Sequence, residues 1–241
     1  MFHRRTLFLA AVSAMAAVPA FAAPLTLPAA DGVQVWAEHR TAAGTRRGIV
    51  LLFHQAGTNH GEYDPIAPRL NRMGFDTLAI DQRSGGTAFG HRNETAERVG
   101  RDPGYLAALP DLEAAFAWAQ SQKVPVVVWG SSYSAALVFL LASRPPGGIA
   151  ALLAFSPGEY IGGVSIRSAA AKVACPVFAT SAGDPGEEAA AAEILAAAPS
   201  PLKRQIRSPG GVHGSSTLRR ANADDVWQGV EVFLDQAIPR A

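Results

Sequence analysis

The chain has 241 residues, of which 49% are hydrophobic and 17% charged, with a formal net charge of +1 and one cysteine. That much apolar material buries a substantial core, which excludes disorder as a description of the whole chain. Its arginines are scattered and do not form the clustered basic footprint of a nucleic-acid binder, and a single cysteine excludes an internal disulfide.

At the N-terminus, Arg4 and Arg5 precede an apolar stretch from Leu7 to Val18, and Pro19-Ala20-Phe21-Ala22 then supplies small residues three and one before a cleavage point. This pattern predicts a secretory signal peptide over residues 1–22. The apolar run is short of the ~20 residues that a membrane span needs, so no stable membrane insertion is expected after cleavage. The paired arginines suit twin-arginine export and the leucine-rich run suits the general route, and either leads to a periplasmic or secreted protein. Residues 23–241 are expected to form a single domain.

Strand-like apolar runs follow near 33–40, 48–54, 77–82, 125–130, 151–155, 176–181 and 203–207. Between most of them lie helical patterns at 65–73, 110–121, 133–143, 187–198 and 224–237. Such alternation predicts a parallel sheet covered by helices. The segment Ala135–Leu141 is apolar nearly all round and should be buried. Cys175, beside the run at Pro176, reads as a core residue. His54 and His60 have no cysteine or second histidine at ligand spacing, so no metal site is expected.

The chemistry concentrates in the loops after these strands. In Val126-Val127-Val128-Trp129-Gly130-Ser131-Ser132-Tyr133-Ser134-Ala135 a β-branched run enters a small-residue turn and then an apolar helix, the setting of a nucleophile elbow. Ser132 is the serine that such a turn presents, with Ser134 standing where the motif usually has glycine. One histidine follows, His213, in the glycine-rich loop Pro209-Gly210-Gly211-Val212-His213-Gly214. Between the two, the run ending at Thr180 opens into Ser181-Ala182-Gly183-Asp184-Pro185. Asp184 is therefore the expected acid that orients the imidazole, although a helix N-cap before Glu187 and Glu188 is the competing reading of the same aspartate. The strand ending in Phe53-His54-Gln55-Ala56-Gly57 should supply one oxyanion-hole amide, with Gln55 as the expected donor and the amide of Tyr133 as the second. His54 is expected to shape its loop, and Asp81 and Arg83 to brace theirs.

Taken together, the His54-Gln55-Ala56-Gly57 strand end, the Asp81-Gln82-Arg83-Ser84-Gly85-Gly86 turn, the Gly130–Ser134 elbow, Asp184 and His213 resemble the α/β-hydrolase superfamily, in its dienelactone-hydrolase-like branch. The resemblance covers nearly all of residues 23–241. It implies an α/β fold with a mostly parallel central sheet of about eight strands flanked by helices, and no metal or organic cofactor. Dienelactone hydrolases use a cysteine nucleophile, so the serine at 132 implies a serine esterase acting on a small-molecule ester. Acyl transfer or peptide cleavage by the same triad, and a catalytically silent binding protein on this fold, are the alternatives. The short connection Gly158–Gly163 predicts no large cap and an open site suited to short acyl groups. A longer irregular stretch, Thr87 to Gly104, is available as one wall, with Phe89, His91, Arg92 and Tyr105 as its side chains.

Overall fold

The computed structural model describes residues 22–240. The segment read as a signal peptide, with its consequences for export, lies outside them except for Ala22.

In chain order the elements are β1 (Ala22–Pro28), β2 (Gln34–Arg40), β3 (Gly48–Phe53), α1 (Ala67–Arg72), β4 (Phe75–Ile80), α2 (Glu94–Val99), α3 (Leu109–Ser121), β5 (Val126–Ser131), α4 (Tyr133–Ala142), β6 (Ile149–Phe155), α5 (Ile166–Ala170), β7 (Val177–Ala182), α6 (Pro185–Ala197), β8 (Lys203–Ser208) and α7 (Asp224–Ala237). Short 3-10 turns occur at His60–Tyr63, Tyr105–Ala108 and Gly214–Arg219. All eight strands form one sheet in the order β1-β2-β4-β3-β5-β6-β7-β8. The first two are antiparallel to their neighbours and the other pairings are parallel.

Period-two side-chain alternation fills both faces of this sheet. Ile49, Leu51 and Phe53 point into a core built with α3, α4, α5 and α6. Their neighbours Val50 and Leu52 point into a second core with α1 and α7, where Trp129 stacks on Phe155 with ring centroids 4.4 Å apart. Helix α4 lies wholly inside the first core, with every residue from Tyr133 to Leu141 buried, as its unbroken apolar sequence requires.

Two differences from the sequence expectation have local causes. Strand β1 is not among the predicted runs; it carries Pro24 and Pro28, which are tolerated because as the edge strand it has only one neighbour, β2. Residues 87–104 are not irregular throughout: Asn93 caps α2 by accepting from the Ala96 amide at 2.7 Å, and Gly100 ends it at φ +71°.

The topology places the functional loops. Chain order runs outward from β3 in one direction through β4 and in the other through β5 to β8. A crevice therefore opens at the carboxyl ends of β3 and β5, where Phe53 pairs with Gly130.

Candidate active site

Ser132 follows β5 directly and holds φ +59° and ψ −124°, a region that a side-chain-bearing residue enters at a cost of about 1–3 kcal/mol. The turn is held by its own backbone: the Ser132 N–H donates to the Phe155 carbonyl at 2.8 Å, and the Ser132 carbonyl accepts from Ala135 at 2.8 Å. Gly130 has no substitute here, because a Cβ at this position would stand 2.3 Å from the Ser134 carbonyl oxygen. Position 134 has more room. Its hydroxyl donates to the His54 carbonyl at 2.5 Å and accepts from Gln82 Nε2 at 2.7 Å, so a serine in place of the usual glycine ties the elbow to two neighbouring loops.

His213, in the loop after β8, brings Nε2 to 2.7 Å from Ser132 Oγ. Its Nδ1 lies 2.7 Å from Glu187 Oε1. The acid on the histidine is thus Glu187, which corrects the expectation of Asp184. Asp184 is the N-cap of α6, with Oδ1 accepting from the amides of Gly186 at 2.9 Å and Glu187 at 3.0 Å. An aspartate spent on the first turn cannot reach the imidazole, whereas Glu187, three residues on, projects back over the helix start. There its other carboxylate oxygen accepts from the Ala182 amide at 3.2 Å. Burial pushes the Glu187 carboxyl up, but hydrogen bonds from His213 and Ser156 outweigh it and hold the group below its ordinary value. Ser156 also accepts from the Gly214 amide at 2.9 Å, which fixes the histidine loop.

On the other side of Ser132, the loop after β3 corrects a second expectation. The Gln55 N–H donates to Glu62 Oε2 at 2.8 Å and is unavailable to a substrate. The Gln55 carbonyl faces His54 Nδ1 at 2.8 Å and Thr58 Oγ1 at 2.9 Å. In a trans peptide C=O and N–H point oppositely, so the Ala56 N–H is directed away from these partners. Tyr133, the expected second donor, is the first residue of α4, where a helix leaves its N–H without an intrahelical acceptor.

His54 is fully buried, and its Nε2 accepts from the Gln82 amide at 2.9 Å, which makes Nδ1 the protonated nitrogen that donates to Gln55. Burial drives its pKa down to about 4. It is a neutral loop-shaping group, as expected. Asp81 holds the His60 amide and imidazole at 2.9 and 2.8 Å, and Arg83 forms a forked pair with Asp111, so both brace loops. Cys175 precedes β7 at the opposite edge of the sheet from Ser132, and burial raises its thiol to about 11, which disposes of a cysteine nucleophile.

A shallow groove of about 260 Å³ flanks the site, lined by Pro103, Gly104, Tyr105, Leu106, Tyr160 and Ile161 with Gly162. Tyr105 stacks on Tyr133 at 4.6 Å between centroids, and Tyr160 meets the His213 ring edge-on at 6.2 Å. Of the side chains expected to form a wall, Tyr105 does so; Phe89 lies under the Arg219 guanidinium and His91 pairs with Asp64. Between β6 and β7 the only helix is the five-residue α5, so among the described residues no large cap covers the crevice.

Comparison with known proteins agrees with this geometry. Residues 44–183 match the family described as serine aminopeptidase, S33. Monoglyceride lipase of Rattus norvegicus is 25% identical over 130 residues, which are 53% of this chain and 41% of the rat enzyme, so the chain spans less than half of that relative. Among solved structures, a dienelactone hydrolase from Anabaena variabilis superposes with a TM-score of 0.72 at 18% identity, covering 90% of this chain and 98% of that one. A thermostable carboxyl esterase from Bacillus coagulans gives 0.73 at 15% identity, with 90% and 99% covered. The match over more than half of the chain, on a sheet and elbow of the kind described above, makes this protein a member of the S33 serine aminopeptidase family of α/β-hydrolases.

Proposed function

We propose that the protein is a serine esterase that hydrolyses small carboxylic esters through an acyl-enzyme on Ser132. The observation that carries this reading is the continuous relay at the elbow, Ser132 Oγ to His213 Nε2 at 2.7 Å and His213 Nδ1 to Glu187 at 2.7 Å. In this scheme His213 takes the Ser132 proton as Oγ attacks the ester carbonyl, and returns it to the departing alcohol. Glu187 fixes the tautomer and stabilises the imidazolium that forms. The amides of Ala56 and Tyr133 receive the oxyanion. Water activated by the same histidine then releases the acid and frees the serine.

Esters fit the surroundings better than the N-terminal peptide bonds implied by the family's description. An aminopeptidase has to hold a substrate ammonium, and the groove beside Ser132 is lined by uncharged residues, two of them tyrosines. The esterase and lipase named among the relatives are consistent with this choice. The groove is small and open, which favours short acyl groups: with no cap to enclose a long chain, each methylene left in water forgoes about 0.8 kcal/mol of burial.

The test is a panel of p-nitrophenyl esters and aminoacyl anilides assayed with the wild type and Ser132→Ala. The reading expects turnover of acetate and butyrate esters, lost in the variant. Preferential cleavage of the anilides, or ester turnover that survives the substitution, contradicts it.

A further inference from the structure

Glu62 is a fully buried carboxyl that the scheme above does not use. It sits on the 3-10 turn after the oxyanion loop, where three catalytic segments converge. Its Oε2 accepts from the Gln55 amide at 2.8 Å and its Oε1 from the Ser131 hydroxyl at 2.8 Å. Ser131, the residue before the nucleophile, in turn accepts from the Ser215 amide at 2.8 Å. One side chain thus joins the loop after β3, the elbow after β5 and the loop that carries His213.

Buried carboxylates are normally paired with a cation, because removing the charge from water is costly. Here Arg219, the cation whose field reaches Glu62, places its Nη1 3.1 Å from the carbonyl oxygens of both Gly61 and Glu62, and not against the carboxylate. The other titratable groups that feel this carboxyl are the phenols of Tyr63 and Tyr133, both kept neutral by burial, while His54 on the adjoining loop is also neutral. Every hydrogen bond to Glu62 is donated to it. A carboxylate accepts both with the strength of a charged acceptor, whereas a protonated carboxyl turns its O–H to Ser131 Oγ and leaves a weaker, neutral oxygen for the Gln55 N–H.

We infer that Glu62 is a positioning residue for the oxyanion hole: its carboxylate holds the N–H of the His54–Gln55 peptide, which fixes residue 55 and with it the following peptide, whose Ala56 N–H faces Ser132, and its protonation weakens that hold. The geometry fixes both peptides that flank the Gln55 Cα. Glu62 holds Gln55 by its N–H, while His54 and Thr58 hold it by its carbonyl, so the direction of the next amide is over-determined. Burial raises the Glu62 carboxyl to about 7, which places the weakening of this hold around neutrality.

The inference rests on the esterase reading, and its test separates the two. In wild-type protein carrying 13C-labelled glutamate, one carboxyl resonance should titrate around neutrality, and the amide resonances of Gln55 and Ala56 should move with it. In Glu62→Gln that resonance and those movements should be gone. With p-nitrophenyl butyrate, Glu62→Gln should lower kcat about 10- to 100-fold, the effect of an amide displaced rather than removed, with KM within about threefold of wild type. The acid limb of its kcat profile should lose one proton relative to wild type. If no glutamate carboxyl titrates around neutrality in the wild type, or if Glu62→Gln keeps the wild-type kcat and pH profile, the inference is overturned. Ester turnover that survives Ser132→Ala defeats the esterase reading instead, and the amide titration still decides the role of Glu62.

Discussion

The two halves of the site are built to different tolerances. On the side of β3 the groups are buried and over-determined: His54, Asp81, Gln82 and Glu62 are all fully enclosed, and each donor or acceptor of the Gln55 backbone has a named partner. On the side of β7 and β8 the His213 and Glu187 side chains are 39% and 23% exposed, held by a single contact to each other and a few loop hydrogen bonds. Under the proposed esterase scheme the contrast follows from the chemistry that each half would perform. An oxyanion hole stabilises charge only if its dipoles are fixed before the charge appears, so it is built into the core. An acid–base pair has to exchange protons with water and with leaving groups, so it stands at the rim.

The largest effect should come from the atoms shared by both halves. Ser132→Ala and His213→Ala should each lower kcat/KM for a short-chain ester by about four orders of magnitude or more, leaving a residue of catalysis from the oxyanion amides. Circular dichroism should show both variants folded.

The rim half is tested by two acids on one helix. Glu187→Gln should reduce kcat by about three to four orders of magnitude, because the amide no longer fixes the imidazole tautomer. Asp184→Asn should leave kcat within about threefold of wild type, since asparagine caps a helix as well as aspartate does. The reverse order of effects would restore Asp184 to the histidine and break the comparison at its exposed side.

The buried half predicts a stability effect of opposite sign to its kinetic one. The Glu62 carboxyl, raised from 4.5 to about 7 in the folded state, binds its proton more tightly folded than unfolded. Its contribution is therefore fully present below pH 4.5 and is lost as pH rises to about 7. The loss amounts to roughly 3 kcal/mol. Glu62→Gln lacks this slope, so at pH above about 8 it should unfold at higher denaturant concentration than wild type, by roughly 2 kcal/mol after about 1 kcal/mol is offset by a weakened hydrogen bond. A variant that is both less active and less stable there would mark Glu62 as ordinary packing.

The smallest effect concerns the groove. From acetate to decanoate esters, kcat/KM should peak by butyrate and not rise further, because the walls at Tyr105 and Tyr160 are open to water. A monotonic gain would show an enclosed acyl pocket.

How much of this was legible in the sequence differs between the two halves. The parallel sheet, the elbow and His213 follow from β-branched runs, small-residue turns and the absence of a competing histidine after Ser132. The acid differs from the expected Asp184 because Asp184-Pro185-Gly186-Glu187 resembles a capping box, in which the first residue serves the helix and the fourth reaches back. Giving weight to that pattern identifies Glu187. Gln55 is not free to serve as the oxyanion donor the sequence suggests, because its N–H is taken by Glu62, a partner set by tertiary contact. Nothing in the sequence around Asn59-His60-Gly61-Glu62 distinguishes a buried acid from a solvated one. Strand β1 carries two prolines, which its edge position permits, so its sequence has little of the strand pattern.

The central claim, that Ser132 is the nucleophile, is tested most directly by mass-spectrometric mapping of the intact protein after reaction with a fluorophosphonate probe. The account predicts one adduct, on the peptide containing Ser132, at a rate lowered by Glu187→Gln and unaffected by Asp184→Asn. An adduct on Ser131, on Ser134 or on Cys175, or labelling that persists in Ser132→Ala, would contradict it.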